Sequence, residues 1–599
     1  MTRISPTAIV AAAILAISAA QAGAQPVPQL PPVPVPAGNP VTEAKRVLGK
    51  VLFWDEQLSS DDTVACGTCH RPAAGGADPR LAIHPGADGR TGTADDIVGS
   101  PGVVRRDADG NAIEDEVFGF GAQVTGRAAP SFFANLHAPQ SFWDGRAEAT
   151  FTDPLNPASV LLADDAALES QAVGPILSSV EMASDGRTWD DVVEKLARVR
   201  PLRYADDLPA DVAAAIAASA SYPALFAAAF GDAEINPARI AFAIATYERT
   251  LVPDQTPWDR FNAGDANAMT AQQVQGWNTF RGNAALCSRC HVPPLFTNND
   301  FVNLGLRPAE EDEGRLAVSG LGEDFGDMKM PGLRNVGLRA TLMHTGGITD
   351  VPDALDFYVQ ARGHAFFTEN FDSIPPNGTP LTAIRIAGNA RAALIDFLSN
   401  ALTDPRAGAE TFPFDRPTLA SELGDDVARC DEVPRLDCFA QSVAGASALS
   451  VVDDAVDSGD RLDWKISRGE AASADAFGDP TSSDGMVVCL YGGEAADTLV
   501  FEGRAPAGSD WRSKSSGFTY SSSATTPDGI RKITLKNGTE GRSKLVIKGA
   551  GSELDSSPFG LPSMPAGAIT VQLQSAAGGC WSSTWSNATA LASGGFLAR

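Results

Sequence analysis

The sequence predicts a mainly α region of two similar halves, followed by an all-β, sandwich-like terminal region. Three observations carry that reading. The pattern Cys-x-x-Cys-His occurs twice, as Cys66-Gly-Thr-Cys69-His70 and Cys287-Ser-Arg-Cys290-His291, each among segments of helical periodicity. Beyond Pro417 that periodicity gives way to alternating apolar and polar residues with Gly and Ser turns. The four remaining cysteines, Cys430, Cys438, Cys489 and Cys580, all lie in this last part.

Taken in order, Arg3 precedes an apolar run from Ala8 to Ala20, and Ala22-Gly23-Ala24 reads as a cleavage site before Gln25. Residues 1–24 are therefore expected to be a secretory signal peptide, the run being shorter than the ~20 residues of a membrane span. No later stretch is long and apolar enough to cross a membrane. Residues 25–41 form a Pro-rich leader. Thr42 is an expected N-cap for a helix through Leu48. Residues 75–126, rich in Gly, Asp and Pro, read as long loops with short strands. Helices are expected at Thr188–Val199, at Pro237–Leu251 with Ile240, Ile244 and Leu251 on its apolar face, at Pro352–Val359 and at Ile384–Leu402. Thr256-Pro257 divides the first half, residues 42–255, from the second, 256–417. In 418–599 strands are expected at Gly529–Lys536, Ser543–Lys548 and Ala568–Gln574. An even set of cysteines in an exported protein favours two disulfides. Cys430–Cys438 with Cys489–Cys580 is the expected pairing among three.

The chain has 599 residues, with 74 acidic against 46 basic side chains and a net charge of −28. Nucleic acid and anionic membrane surfaces, which require a basic face, are excluded as partners. An apolar content of 44% suffices for buried cores.

CxxCH is the attachment motif of haem c: two thiols add to the vinyl groups and the adjacent His ligates iron. Chance yields such a pattern roughly 10⁻³ times in a chain of this composition, so two are not accidental. Zinc would need four such ligands together, and a redox dithiol does not require the His. Two covalently bound haems c are expected, through Cys66, Cys69, Cys287 and Cys290, with His70 and His291 as proximal iron ligands. Four other histidines, His84, His137, His344 and His364, remain for the opposite faces.

Several motifs occur in order: Leu58-Ser-Ser-Asp-Asp-Thr-Val-Ala-Cys-Gly-Thr-Cys-His70, Phe142-Trp-Asp-Gly-Arg146, Glu169-Ser-Gln-Ala-Val-Gly-Pro175 leading to Glu181-Met182, and Leu333-Arg-Asn-Val336 leading to His344. With them, residues 42–417 resemble the bacterial di-haem cytochrome c peroxidases and their relative MauG. The resemblance implies a mainly α fold of two cytochrome c-like haem domains, ahead of the all-β terminal domain. It implies that peroxide reacts at the first haem, beside Gln171 and Glu181, and that Trp143 stands between the haems. It implies a sixth ligand to the second haem at Tyr358, fourteen residues after His344, where tyrosine is the MauG-type residue and methionine the ordinary one.

Two departures stand out. The ordinary peroxidases place a distal His sixteen residues after the first motif His; here His84 follows after fourteen, and it reads either as a ligand of the first haem or as a loop residue. The resemblance also implies an interhaem calcium, Ca2+, bound by an Asn of an Arg-Asn-x-Pro segment and by carbonyls before the motif His. This chain has Arg127-Ala128-Ala129-Pro130 instead, and Arg339 where a threonine is usual. Asp88, Asp95, Asp96, Asp107 and Asp109 crowd the 75–126 loops and read as a solvated acidic face or a calcium site. The terminal region resembles a module appended to exported bacterial proteins, to which no chemistry attaches.

The leading expectation is a periplasmic or secreted peroxidase that reduces H2O2 at the first haem, with electrons from a small c-type cytochrome or other periplasmic donor relayed through the second. The alternatives are a MauG-like oxidase of a protein or small molecule, and a non-enzymatic di-haem electron carrier. Nothing in the sequence sets an oligomeric state.

Overall fold

The computed structural model describes residues 28–599 apart from 108–110, 220, 360–366, 369, 375–378, 381–382, 424–428, 432, 455, 474, 494–495, 497, 523–527, 552–553, 555–566 and 592–594. The expected signal peptide, its cleavage site, His364 and Asp109 lie outside the described residues. Two compact units emerge: Met1–Leu202 with Leu208–Pro417, and Arg203–Asp207 with Thr418–Arg599.

In the first unit, Thr42 caps the helix Glu43–Trp54 through its hydroxyl, as expected. This helix crosses Pro237–Glu248 so closely that a Cβ on Gly49 would collide with the Ala243 carbonyl. Trp54 donates to the Tyr247 hydroxyl at 3.0 Å across the same contact. The arrangement recurs around the second motif. The helix Ala271–Phe280 precedes Cys287 and crosses Gly388–Asp396, and a Cβ on Gly276 would meet the Ala393 carbonyl. Both CxxCH motifs thus follow a helix clamped, at a glycine, against a later helix of the same half.

The other expected helices form as Trp189–Arg198, capped by Thr188, and as Val351–Tyr358. Ile384–Leu402 is shorter in its α part, Gly388–Asp396, and ends in a π turn, Phe397–Ala401. Residues 82–162 contain four two-stranded antiparallel hairpins, so this unit is less purely α than expected. Among the described residues no single helix is long and apolar enough to cross a membrane.

The second unit is all-β. An eight-stranded sheet runs in the order 511–514, 517–521, 530–536, 543–550, 461–469, 447–452, 596–598, 589–590, and a four-stranded sheet in the order 498–505, 486–492, 569–575, 580–585. Leu449, Trp464 and Ile547 from the larger sheet share one core with Val488, Phe501 and Leu573 from the smaller, which makes a sandwich. The three expected strands form as Ile530–Lys536, Ser543–Ala550 and Ile569–Ser575.

The expected disulfide pairing is wrong: Cys430 bonds Cys489 and Cys438 bonds Cys580. The segment carrying Cys430 and Cys438 lies along the outer face of the smaller sheet, so its two cysteines meet different strands. The buried amides of Gln574 and Gln572 hold it there, accepting from the Asp431 and Arg435 backbones at 3.0 Å each. Covered on both faces, the strands Met486–Gly492 and Ile569–Ser575 are buried throughout.

Candidate haem and peroxide sites

Each motif is wound as a single tight turn; the first turns Cys69 and His70 toward one cavity, and the second turns Cys287, Cys290 and His291 toward another. At the first, the Thr68 hydroxyl accepts from the Ala65 backbone at 2.8 Å, and the His70 amide donates to the Cys66 carbonyl at 3.0 Å. Gly67 is required here because a Cβ would enter the Trp54 ring. At the second, the His291 amide donates to the Cys287 carbonyl at 2.9 Å.

The donor set fits haem c. His70 Nδ1 lies 3.2 Å from the Gly76 carbonyl, and His291 Nδ1 lies 3.2 and 3.1 Å from the Phe296 and Pro331 carbonyls. A ring whose Nδ1–H is given to a carbonyl keeps its Nε2 lone pair for iron. Burial lowers both imidazole pKa values, that of His291 to about 4, so the rings stay neutral. Burial also pushes the Cys66 and Cys287 thiols up to about 12, which disfavours the thiolates that zinc or a redox dithiol would use. All four motif cysteines are free while the other four are bonded.

The first cavity, about 560 Å³, brings together Cys69, His70, Trp143, Gln171 and Glu181, with His84 in its wall. Gln171 comes from the helix Ala167–Ala172. Glu181 sits in a turn where the Ser178 carbonyl accepts from the Glu181, Met182 and Ala183 amides at 2.9–3.1 Å. Arg187 locks that turn, donating to the carbonyls of Leu58, Ile176 and Met182 at 2.8, 3.2 and 3.2 Å. Gly102 lets its strand approach, since a Cβ would strike the Val180 carbonyl. Burial raises the Glu181 pKa, opposed by a hydrogen bond from Ser178 and the charge of Arg146. His84 Nδ1 accepts from the Gly86 backbone at 3.1 Å.

Trp143 lines the first cavity and also a small space shared with Met330, His344 and Tyr358. Its indole donates to the Ala128 carbonyl at 2.8 Å, and its ring stands edge-on to His344 at 6.2 Å. Asp144 anchors the loop, accepting from Arg127 at 2.7 Å and Arg146 at 2.9 Å. The second cavity gathers Cys287, Cys290, His291 and Tyr358. On their helix Phe357 packs into the core, 1% exposed, while Tyr358 turns to this cavity. Burial raises the Tyr358 pKa.

Sequence reasoning passed over Met330 and Met343, which line the second cavity beside Tyr358. It also missed Glu248, a fully buried carboxyl in the wall of the first. His344 is 8% exposed with Nε2 unpartnered, whereas His137 lies elsewhere, against the Pro31 carbonyl at 3.0 Å. The carboxylates of Asp88, Asp95 and Asp96 accept from amides and the Thr93 hydroxyl of their own loop, the pattern of a solvated turn.

Residues 43–267 match the family model for di-haem cytochrome c peroxidase. The cytochrome c peroxidase of Escherichia coli is 28% identical over 57% of this chain and 59% of its own length. The methylamine utilization protein MauG of Methylorubrum extorquens is 28% identical over 63% of this chain and 83% of its own. Among solved structures, a MauG-like protein associated with microbial copper homeostasis is 23% identical, covering 64% of this chain and 96% of that one, with a TM-score of 0.45. The similarity is to the di-haem cytochrome c peroxidase/MauG family. The chain is accordingly a peroxidase-like oxidoreductase with two covalently bound haems c.

An interhaem calcium does not fit. Ala128 and Ala129 have no side-chain oxygen, and the guanidinium of Arg339 donates to the Ala129 carbonyl at 3.3 Å.

Proposed function

We propose that the chain is an exported di-haem c peroxidase that reduces hydrogen peroxide at the first haem, with electrons from a small c-type cytochrome or another periplasmic donor arriving through the second. The observation that carries this reading is the placement of Gln171 and Glu181 in one cavity with His70. Haem iron, when bound, supplies the redox chemistry of O–O cleavage; the proton work falls to the chain. Glu181 takes a proton from the inner peroxide oxygen and returns it to the outer one, which departs as water. The Gln171 amide orients the peroxide by hydrogen bonding. Overall, H2O2 with two electrons and two protons gives two waters. Trp143, lining spaces on both sides, supplies an aromatic step between the two centres.

Tyr358 favours a second reading, a MauG-like oxidase. An anionic oxygen ligand stabilises oxidised iron, so the protein would react with peroxide without prior reduction. A di-haem electron carrier has no use for a carboxyl of raised pKa and an amide placed together in its haem cavity. Visible and EPR spectra of the oxidised holoprotein before and after H2O2, with turnover against a reduced small c-type cytochrome, test these readings. Peroxide-dependent oxidation of the cytochrome is expected. Reaction of the fully oxidised protein with no cytochrome turnover would favour the oxidase, and no reaction in any redox state would overturn both.

A further inference from the structure

We propose that Arg339 is the resident cation between the two haem sites, its guanidinium pairing with porphyrin carboxylates where a divalent metal is not accommodated. The proposal rests on the two-haem assignment and not on the reaction catalysed.

The arginine is built in. It follows the turn Val336–Leu338 and is 8% exposed. Its stem fits only because residue 75 is glycine: a Cβ there would lie 2.6 Å from Arg339 Cγ, and the backbone has φ +67. The head then reaches the Ala129 carbonyl, bridging the 127–130 segment to its own. Arg339 lines the second cavity, while its charge also bears on His70 at the first. It stands between the two.

What is missing is its counter-charge. Among the described residues no carboxylate forms an ion pair with Arg339, and its Nε has no partner. By contrast Arg127 is matched by Asp144 and Asp312, Arg307 by Glu311 and Arg334 by Asp259. Burial lowers the Arg339 pKa only to about 10, so the charge persists at neutral pH. An unpaired buried cation is costly, and a fold retains one where an anion completes it. Each haem c brings two carboxylates, the anions this site lacks.

The test compares the holoprotein with Arg339→Lys and Arg339→Gln, measuring haem content by pyridine haemochrome and both midpoint potentials by spectroelectrochemical titration, each with EDTA and with added Ca2+. Removing a fixed cation favours the more positive ferric state. Arg339→Gln should therefore lower at least one potential, Arg339→Lys should restore most of it, and the wild type should respond to neither EDTA nor Ca2+. Unchanged potentials in Arg339→Gln, or a wild-type shift with EDTA, would overturn the proposal. Should Arg339→Gln fail to mature, the EDTA titration of the wild type decides. Two haems per wild-type chain is checked separately, so loss of the haem assignment is not confused with loss of this one.

Discussion

Replacing Glu181 by Gln keeps the size and planarity of the side chain but removes its capacity to carry a proton. The turn that presents it is held by backbone bonds to the Ser178 carbonyl and by Arg187, none of which involves the carboxyl, so the cavity should persist. A positioned general acid–base group contributes roughly 10²–10⁴-fold. At 1.36 kcal/mol per decade the substitution should raise the barrier by about 2.7–5.4 kcal/mol. The pH profile is a second signature. Burial raises the Glu181 pKa, and the group must be deprotonated to accept the peroxide proton. The wild-type rate should therefore fall as pH drops through that raised value, and the variant should lose this limb. Stopped-flow absorbance after mixing with H2O2, from acid to mildly alkaline pH, measures both. A variant within about threefold of the wild type, with the acid limb intact, would remove Glu181 from the mechanism.

Tyr358→Phe should change the ferric spectrum of the second haem and raise its potential, since it removes an oxygen ligand while leaving the ring in place. An unchanged spectrum would make Tyr358 a packing residue and turn attention to Met330 and Met343 in the same cavity. Glu248 has its pKa raised by burial to about 8, so stability should fall as pH rises from its unfolded value towards 8. Glu248→Gln should stabilise the protein near pH 8, by at most about 5 kcal/mol, and have little effect near pH 4; denaturant unfolding at the two pH values checks the sign. The disulfides close loops with sequence separations of 59 and 142. By chain entropy, loss of Cys430–Cys489 should cost about 4 kcal/mol and loss of Cys438–Cys580 about 5. Non-reducing peptide mapping that finds a Cys430–Cys438 peptide would contradict the strap across the sheet.

What was legible in the sequence was chemistry confined to short spacings. CxxCH must place two thiols and an imidazole on one turn, so attachment is written locally, as are the Thr42 and Thr188 caps and the alternation of Ser543–Ala550. Pairings set by long-range packing were not legible. Cys430 and Cys438 are neighbours in sequence, yet the glutamines that separate them lie more than a hundred residues away at Gln572 and Gln574. Arg339 reads in sequence as a charge standing where a threonine is usual and able to replace a missing cation; its enclosure by Gly75 and Ala129 is set by long-range packing and was not legible.

Glu248 lies between these cases, because a signal for it was present. Ile240 and Ile244 mark the apolar face of Pro237–Glu248, and the next position at that spacing is Glu248. Four residues on from Ile244, a carboxyl on the buried face should have stood out, since a helix facing a purely apolar core would carry an aliphatic residue there. Propensity gives no warning, as Glu is a good helix former anywhere along the helix. The cost appears only on burial, where one carboxyl oxygen finds no hydrogen-bond partner and the wall of the first cavity is the surface it faces. A charged residue that falls in register with an apolar stripe therefore marks where a core gives way to a site, and in this chain that register leads to the cavity of His70, Gln171 and Glu181.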